Sequence, residues 1–179
     1  YTVSSTLLIK ADQTSIANIF PGSDGINNQH NLNNEIGILK SFSLNLKVMQ
    51  QLPEFCVEYT KVGKRGIAES RLYKNSPFAV EYTTLANQQT GQIVKIRILS
   101  EKSYKLEING SKNFEKEINF GDRFNEMGFD FIINLKDKSE LVDNGGLSDR
   151  YYFYFNSPAA LANRYRSKLS VTPIATDAS

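Results

Sequence analysis

Asn34-Glu35-Ile36-Gly37-Ile38-Leu39-Lys40-Ser41, running on through Phe42 to Leu52-Pro53, is the stretch on which the fold reading turns. Ile36, Leu39, Leu46 and Met49, with Phe42 beside them, recur at helical spacing. Asn33 or Asn34 can cap the first turn, where the helix dipole favours Glu35. Leu52-Pro53 ends the run, because a residue before proline is pushed out of the α region. From Phe55 the texture changes to strands, so a helix hands over to a sheet. The expected class is α+β, a mixed sheet with packed helices.

Working outward, the predicted strands are Cys56 to Val62, Ile67 to Tyr73, Phe78 to Thr83, Ile93 to Leu99, Tyr104 to Ile108, Phe114 to Phe120, Phe129 to Leu135 and Tyr151 to Phe155. Val94-Lys95-Ile96-Arg97-Ile98 and Tyr104-Lys105-Leu106-Glu107-Ile108 alternate cleanly, giving each one solvated face. Asn109-Gly110 is a strong hairpin signal, since both residues tolerate positive φ. Asn144-Gly145-Gly146 marks a looser turn. On the N-terminal side, Tyr1 to Ile9 reads as an opening strand. Ala11 to Leu32, rich in Asn, Gln, Ser and Gly, reads as a disordered loop. Near the other end Ser157-Pro158 places an N-cap before a first-turn proline, and opens a second helix carrying Ala160, Leu161 and Tyr165. Val171 to Ile174 then reads as a returning strand.

A chain of 179 residues suits one domain with a real core. Residues 81–150, mostly β, read as an elaboration within it. A formal charge of +2, with lysines and arginines scattered among acids, lacks the basic stripe of a nucleic-acid binder. Lys61, Lys64 and Arg65 make only a small basic cluster. No apolar run is long enough for a transmembrane helix. The chain starts at Tyr1 without a signal-peptide pattern, and a segment of a longer protein is expected.

The search for chemistry assigns no catalytic, cofactor-binding or metal-ligating residue. Gly63-Lys64-Arg65-Gly66 has neither the spacing nor the hydroxyl of a phosphate-binding loop and reads as a turn or bulge. His30, the lone histidine, lies in the polar loop without the scaffold a hydrolytic triad needs. Cys56, the lone cysteine, sits among apolar residues and reads as a buried, inert thiol. Glu115 and Glu117 share a strand face but interleave with Lys112 and Lys116, which suits a solvated edge better than a glycosidase pair. In Tyr151-Tyr152-Phe153-Tyr154-Phe155, alternation turns Tyr151, Phe153 and Phe155 toward a core.

Three segments carry a resemblance: Asn34 to Ser41, Leu72-Tyr73-Lys74-Asn75-Ser76-Pro77-Phe78-Ala79-Val80, and Ser157-Pro158-Ala159-Ala160-Leu161-Ala162-Asn163-Arg164-Tyr165. With the opening strand and the polar loop, they make the chain resemble the periplasmic domain of the chain-length determinant (Wzz-like) family, the polysaccharide co-polymerases. The subgroup fused to tyrosine autokinases of the Wzc type is the nearest likeness. The resemblance implies a Wzz-like base domain carrying a β-rich insertion, with Ile36 to Met49 packed on a sheet formed by Tyr1 to Ile9 and its neighbours. It also implies a non-catalytic role at the periplasmic face of a bacterial inner membrane, in a parent anchored by helices outside this segment. Expected partners are further copies in a ring, the polymerase and export machinery, and the polysaccharide itself, with no cofactor and no nucleic acid. Any kinase activity would lie outside these residues, and the isolated segment is expected to be mainly monomeric. The competing reading is a stand-alone β-rich carbohydrate-binding or adhesin-like module, motivated by Tyr151 to Phe155.

Overall fold

The computed structural model describes residues 2–7, 24–63, 68–110, 113–136 and 150–173, with the backbone alone given for 24–31. Two helices come first, α1 (Asp24–Leu39) and α2 (Phe42–Gln51). Nine strands follow among the described residues: β1 (Val57–Val62), β2 (Glu69–Arg71), β3 (Phe78–Glu81), β4 (Val94–Ile98), β5 (Ser103–Ile108), β6 (Phe114–Asn119), β7 (Arg123–Phe124), β8 (Phe131–Leu135) and β9 (Arg150–Phe155). A last helix, α3 (Pro158–Arg166), ends the described order.

The strands form two sheets, a six-stranded one ordered β2-β1-β9-β4-β5-β6 and a three-stranded one ordered β3-β8-β7. Every strand pairing within them is antiparallel. This overturns the expected α+β class. The molecule is mostly β, with three described helices, whereas a Wzz-like base domain is helix-rich and was expected to hold a mixed sheet. The cause is legible in the chain. Alternating β-branched and aromatic residues persist from Val57 to Phe155, and their apolar faces find one another across two sheets rather than under a layer of helices.

Inward residues follow the period of two. β4 turns Val94, Ile96 and Ile98 inward, β5 Tyr104, Leu106 and Ile108, and β9 Tyr151, Phe153 and Phe155; all are buried. Phe78, Val80, Phe124, Phe131 and Ile133 meet them from the small sheet. Aromatic contacts knit the layers: Phe131 lies 5.3 Å from Phe153 edge-on, and Phe78 lies 5.7 Å from Tyr151. Such pairs add about 0.5–1.5 kcal/mol each beyond the area they bury.

A second core of Met49, Cys56, Leu161 and Ala162 closes between α2 and α3. Tyr82 and Leu85 pack against both cores and join them. Ser157 caps α3 as predicted, its Oγ accepting from the Ala160 amide at 3.1 Å.

The N-terminal expectations fare differently. The single helix from Asn34 to Leu52 is two helices broken at Lys40-Ser41. The capping residue is Ser41, whose Oγ accepts from the Leu44 amide at 3.2 Å, while Asn34 lies inside α1. Asn45 holds the break, its Nδ2 donating to the carbonyls of Leu39 at 3.0 Å and Ser41 at 2.8 Å. Part of the predicted polar loop is helical, since α1 starts at Asp24; residues 11–23 lie outside the described residues.

Residues 2–7 form no strand and are exposed, Val3 at 92%, so the sheet on which Ile36 to Met49 was to pack is missing from the described residues. Only Met49 of that helical run is buried, and α2 packs on α3 instead. The described part of Val171 to Ile174 is likewise not a strand, and the turn expected at Asn144-Gly145-Gly146 lies outside the described residues. Asn109-Gly110 does begin a hairpin, but pairing of Ile108 with Phe114 makes the connection five residues long rather than two.

Candidate functional site

The outer face of the six-stranded sheet carries the concentration of polar chemistry. Alternation turns Glu58 and Thr60 of β1, Arg150, Tyr152 and Tyr154 of β9, Lys95 and Arg97 of β4, and Lys105 and Glu107 of β5 away from the core. The register arranges them in rows. One row reads Glu69, Val62, Arg150, Arg97, Lys105, Glu117; the next reads Arg71, Thr60, Tyr152, Lys95, Glu107, Glu115. Residues directly opposite in such rows have side chains close enough to interact.

At one side lies a groove of about 180 Å³ lined by Glu58, Thr60, Glu69, Arg71, Tyr152 and Tyr154. The rings of Tyr152 and Tyr154 are stacked, 6.5 Å apart and 24° from parallel. The Tyr152 hydroxyl donates to Glu69 Oε2 at 2.8 Å. Glu58 is gripped from two elements: Arg71 Nε of β2 lies 2.8 Å from Oε1, and Arg164 Nη1 of α3 lies 2.8 Å from Oε2. Arg164 also donates to Asn156 Oδ1 at 3.2 Å. Burial pushes the Glu58 carboxyl up, but hydrogen bonds from Arg164 and Tyr154 and the charges of Arg71 and Arg164 outweigh it. The net effect holds Glu58 below its ordinary value, an ionised carboxylate at neutral pH. Burial, and then Glu58 itself, raise the Tyr154 phenol.

A second hollow of about 330 Å³ lies over Arg97, Leu99, Lys105, Glu115, Lys116 and Glu117. Lys105 pairs with Glu115 there, and Ser103 Oγ donates to Glu117 at 2.8 Å. Glu115 and Glu117 thus sit exposed on the edge strand β6, each engaged by a neighbour on β5.

The remaining sequence candidates are placed as follows. Cys56 is buried in the helical core, and burial raises its thiol above the ordinary value, the environment of an inert cysteine. Tyr82 stands over it, its phenol pushed up to about 12 by burial first and by Cys56 next, and donates to the Pro53 carbonyl at 2.9 Å. Lys61 does not join a basic cluster on the outer face: it turns inward, with Nζ 5.7 Å from the Tyr151 ring centroid. Lys64, Arg65 and Gly66 lie outside the described residues, as does the side chain of His30. Gly63 opens the β1–β2 turn, its amide donating to the Ala68 carbonyl at 2.7 Å. Among the described residues no group of three His, Cys, Asp or Glu could hold a metal ion.

Sequence reasoning missed the rows themselves. Period-two alternation puts Lys95 and Arg97 on one face, but only the strand order sets Arg150 beside Arg97 and Tyr152 beside Lys95. The fold and face together define a two-sheet antiparallel domain with a polar, aromatic-bearing outer surface. No model of a known protein family matches the chain, and no curated protein matches it either.

Proposed function

We propose that the chain is a non-catalytic periplasmic domain of a bacterial inner-membrane polysaccharide co-polymerase, which regulates the chain length or export of a surface polysaccharide. The observation that supports this reading is where the resembling segments fall. Asn34 to Ser41 leads into α2, and Ser157 to Tyr165 builds α3. Those two helices pack on each other around Met49, Leu161 and Ala162. Leu72 to Val80 feeds β3, whose extension brings Tyr82 against the same core. Of the three segments, Ser157 to Tyr165 supplies Leu161 and Ala162 to this core, and Asn34 to Ser41 precedes the helix that supplies Met49. Leu72 to Val80 places Phe78 and Val80 in the sandwich core and ends two residues before Tyr82, which joins the two cores.

On this reading the parent protein is anchored by helices outside the segment and assembles with copies of itself and with the polymerase and export machinery. Any tyrosine kinase domain of the parent would belong to its cytoplasmic part, and this domain contributes surfaces alone. No helix among the described residues is long and apolar enough to cross a membrane.

The test is deletion of the parent gene in its bacterium, with surface polysaccharide sized on gels. An altered length distribution, restored by the intact gene, is expected. An unchanged distribution, or a gene lacking two flanking apolar segments of about 20 residues, would overturn the proposal.

A further inference from the structure

The row Arg150, Arg97, Lys105 sets three cations directly opposite one another across β9, β4 and β5, and Lys95 adjoins them in the next row. Like charges in this relation destabilise a sheet. Lys105 is paired with Glu115, but Arg97, Lys95 and Arg150 have no acidic partner among the described residues. Carboxylates are abundant on the same face, and Glu107 stands directly opposite Lys95, but in the row of Arg150, Arg97 and Lys105 the register places them only at the ends, Glu69 at one and Glu117 at the other.

We infer that this strip, together with the adjoining Tyr152–Tyr154 pair, is a binding site for an acidic polysaccharide, one carrying carboxylates on its sugar rings. Two inter-strand steps span about 10 Å, room for the carboxylate of one sugar and the ring of its neighbour. Arginine forks suit carboxylates, which they can bind bidentately. Tyrosine faces suit the apolar face of a pyranose. Tyr152 lies opposite Lys95 and Tyr154 one pleat further along β9, so ring platform and cations are contiguous. Glu69, beside the tyrosines, supplies a partner for sugar hydroxyls.

A nucleic acid is the poorer fit. Its phosphates recur at every nucleotide and need a long basic track, whereas this strip is short and bounded by carboxylates. The inference deepens the proposed function by naming a ligand class and its place. It rests on that reading only for the source of the polymer, and would hold equally for a stand-alone carbohydrate-binding module.

The test is calorimetric titration of the purified 179-residue chain with fragments of polygalacturonate, alginate and hyaluronan, against neutral dextran and poly(dT). Binding to at least one acidic saccharide is expected, weakening with added salt and at least tenfold weaker in the Arg97→Gln/Arg150→Gln variant. The melting temperature of that variant should be equal or higher, because the like-charge row is relieved. Arg97→Lys/Arg150→Lys, which keeps charge but loses the forks, should fall between. Folded wild-type chain that binds none of the acidic fragments would overturn the inference. So would binding unaffected in the Gln variant, or tighter binding to dextran or poly(dT). If the saccharide binds while gene deletion leaves polymer length unchanged, the co-polymerase reading fails and this one stands.

Discussion

Glu58 shows how much a single side chain can tie together here. It links β1 to β2 through Arg71 and to α3 through Arg164, a partner 106 residues away. Its carboxyl titrates below the ordinary 4.5 when folded, so its pairing stabilises fully above that value and is lost as pH falls through the folded one. Asp130, held down chiefly by Arg123, acts in the same direction. Urea midpoints measured from pH 7 to 3 should therefore drop in the acid limb below about pH 4.5. Glu58→Gln should be less stable at neutral pH and show a shallower acid limb; an unchanged slope would remove Glu58 from this account. Tyr73 gives the opposite kind of prediction. It adopts φ +43° while its side chain is 73% exposed, so its backbone is strained and its ring buries little. Tyr73→Asn should raise stability by about 1 kcal/mol, since asparagine tolerates this region. Calorimetric melting decides it, and a loss of stability would mean that the ring makes a contact of real worth. At this scale the sequence disclosed what is local: the Ser157-Pro158 cap depends on neighbours three residues on. The Glu58–Arg164 pair depends on a fold, and no spacing announces it.

Elements tell a similar story with a different boundary. Eight of the ten predicted strands, those between Cys56 and Phe155, correspond to observed ones within a few residues, because alternation of apolar and polar side chains is a local property that the sheet then exploits. The described parts of Tyr1 to Ile9 and Val171 to Ile174 are not strands. The helix break was missed because Ile36, Leu39, Phe42, Leu46 and Met49 satisfy a continuous helical period. What breaks it is the competition of the Ser41 hydroxyl and the Asn45 amide for backbone groups, which hydropathy does not register. Ser41→Ala should cost about 1 kcal/mol, the usual worth of such a cap, seen as a lower urea midpoint with unchanged slope. Strand β9 is the element the sheet can least spare. It lies between β1 and β4, and Phe153 is fully buried against Tyr59, Phe78, Phe131 and Phe155. Phe153→Ala should cost about 3–5 kcal/mol, while Tyr152→Ala on the opposite face should cost far less. Equal losses would contradict the inward and outward assignment of β9. The edges are protected as well: β2 is short and exposed, and β6 carries Glu115, Lys116 and Glu117.

At the scale of the molecule, strand order is where reading the chain stopped being sufficient. β9 comes last of the strands yet occupies the middle of the large sheet, so the sheet cannot complete until residues about 90 apart have met. No periodicity encodes that insertion, and without it neither the class of the fold nor the cation row could be foreseen. The same arrangement predicts how stability is distributed. β4, β5 and β9 bury their apolar faces completely and are hydrogen-bonded on both sides, so their amides should exchange with solvent only on global unfolding. α2 and α3 share Tyr82 and Leu85 with the sandwich and should follow closely. Residues 32–39 of α1 include no buried residue, and Ile38 is 51% exposed, so little tertiary packing sustains that half of the helix. A helix of 16 residues is marginal in water by itself. Native-state hydrogen exchange followed by mass spectrometry should therefore show α1 exchanging orders of magnitude faster than β9, with α2 and α3 near the slow end. Protection of α1 equal to that of β9 in the isolated chain would mean that the helix is packed against something, and would refute this division of the molecule into a stable sandwich with its helical end and a loosely held α1.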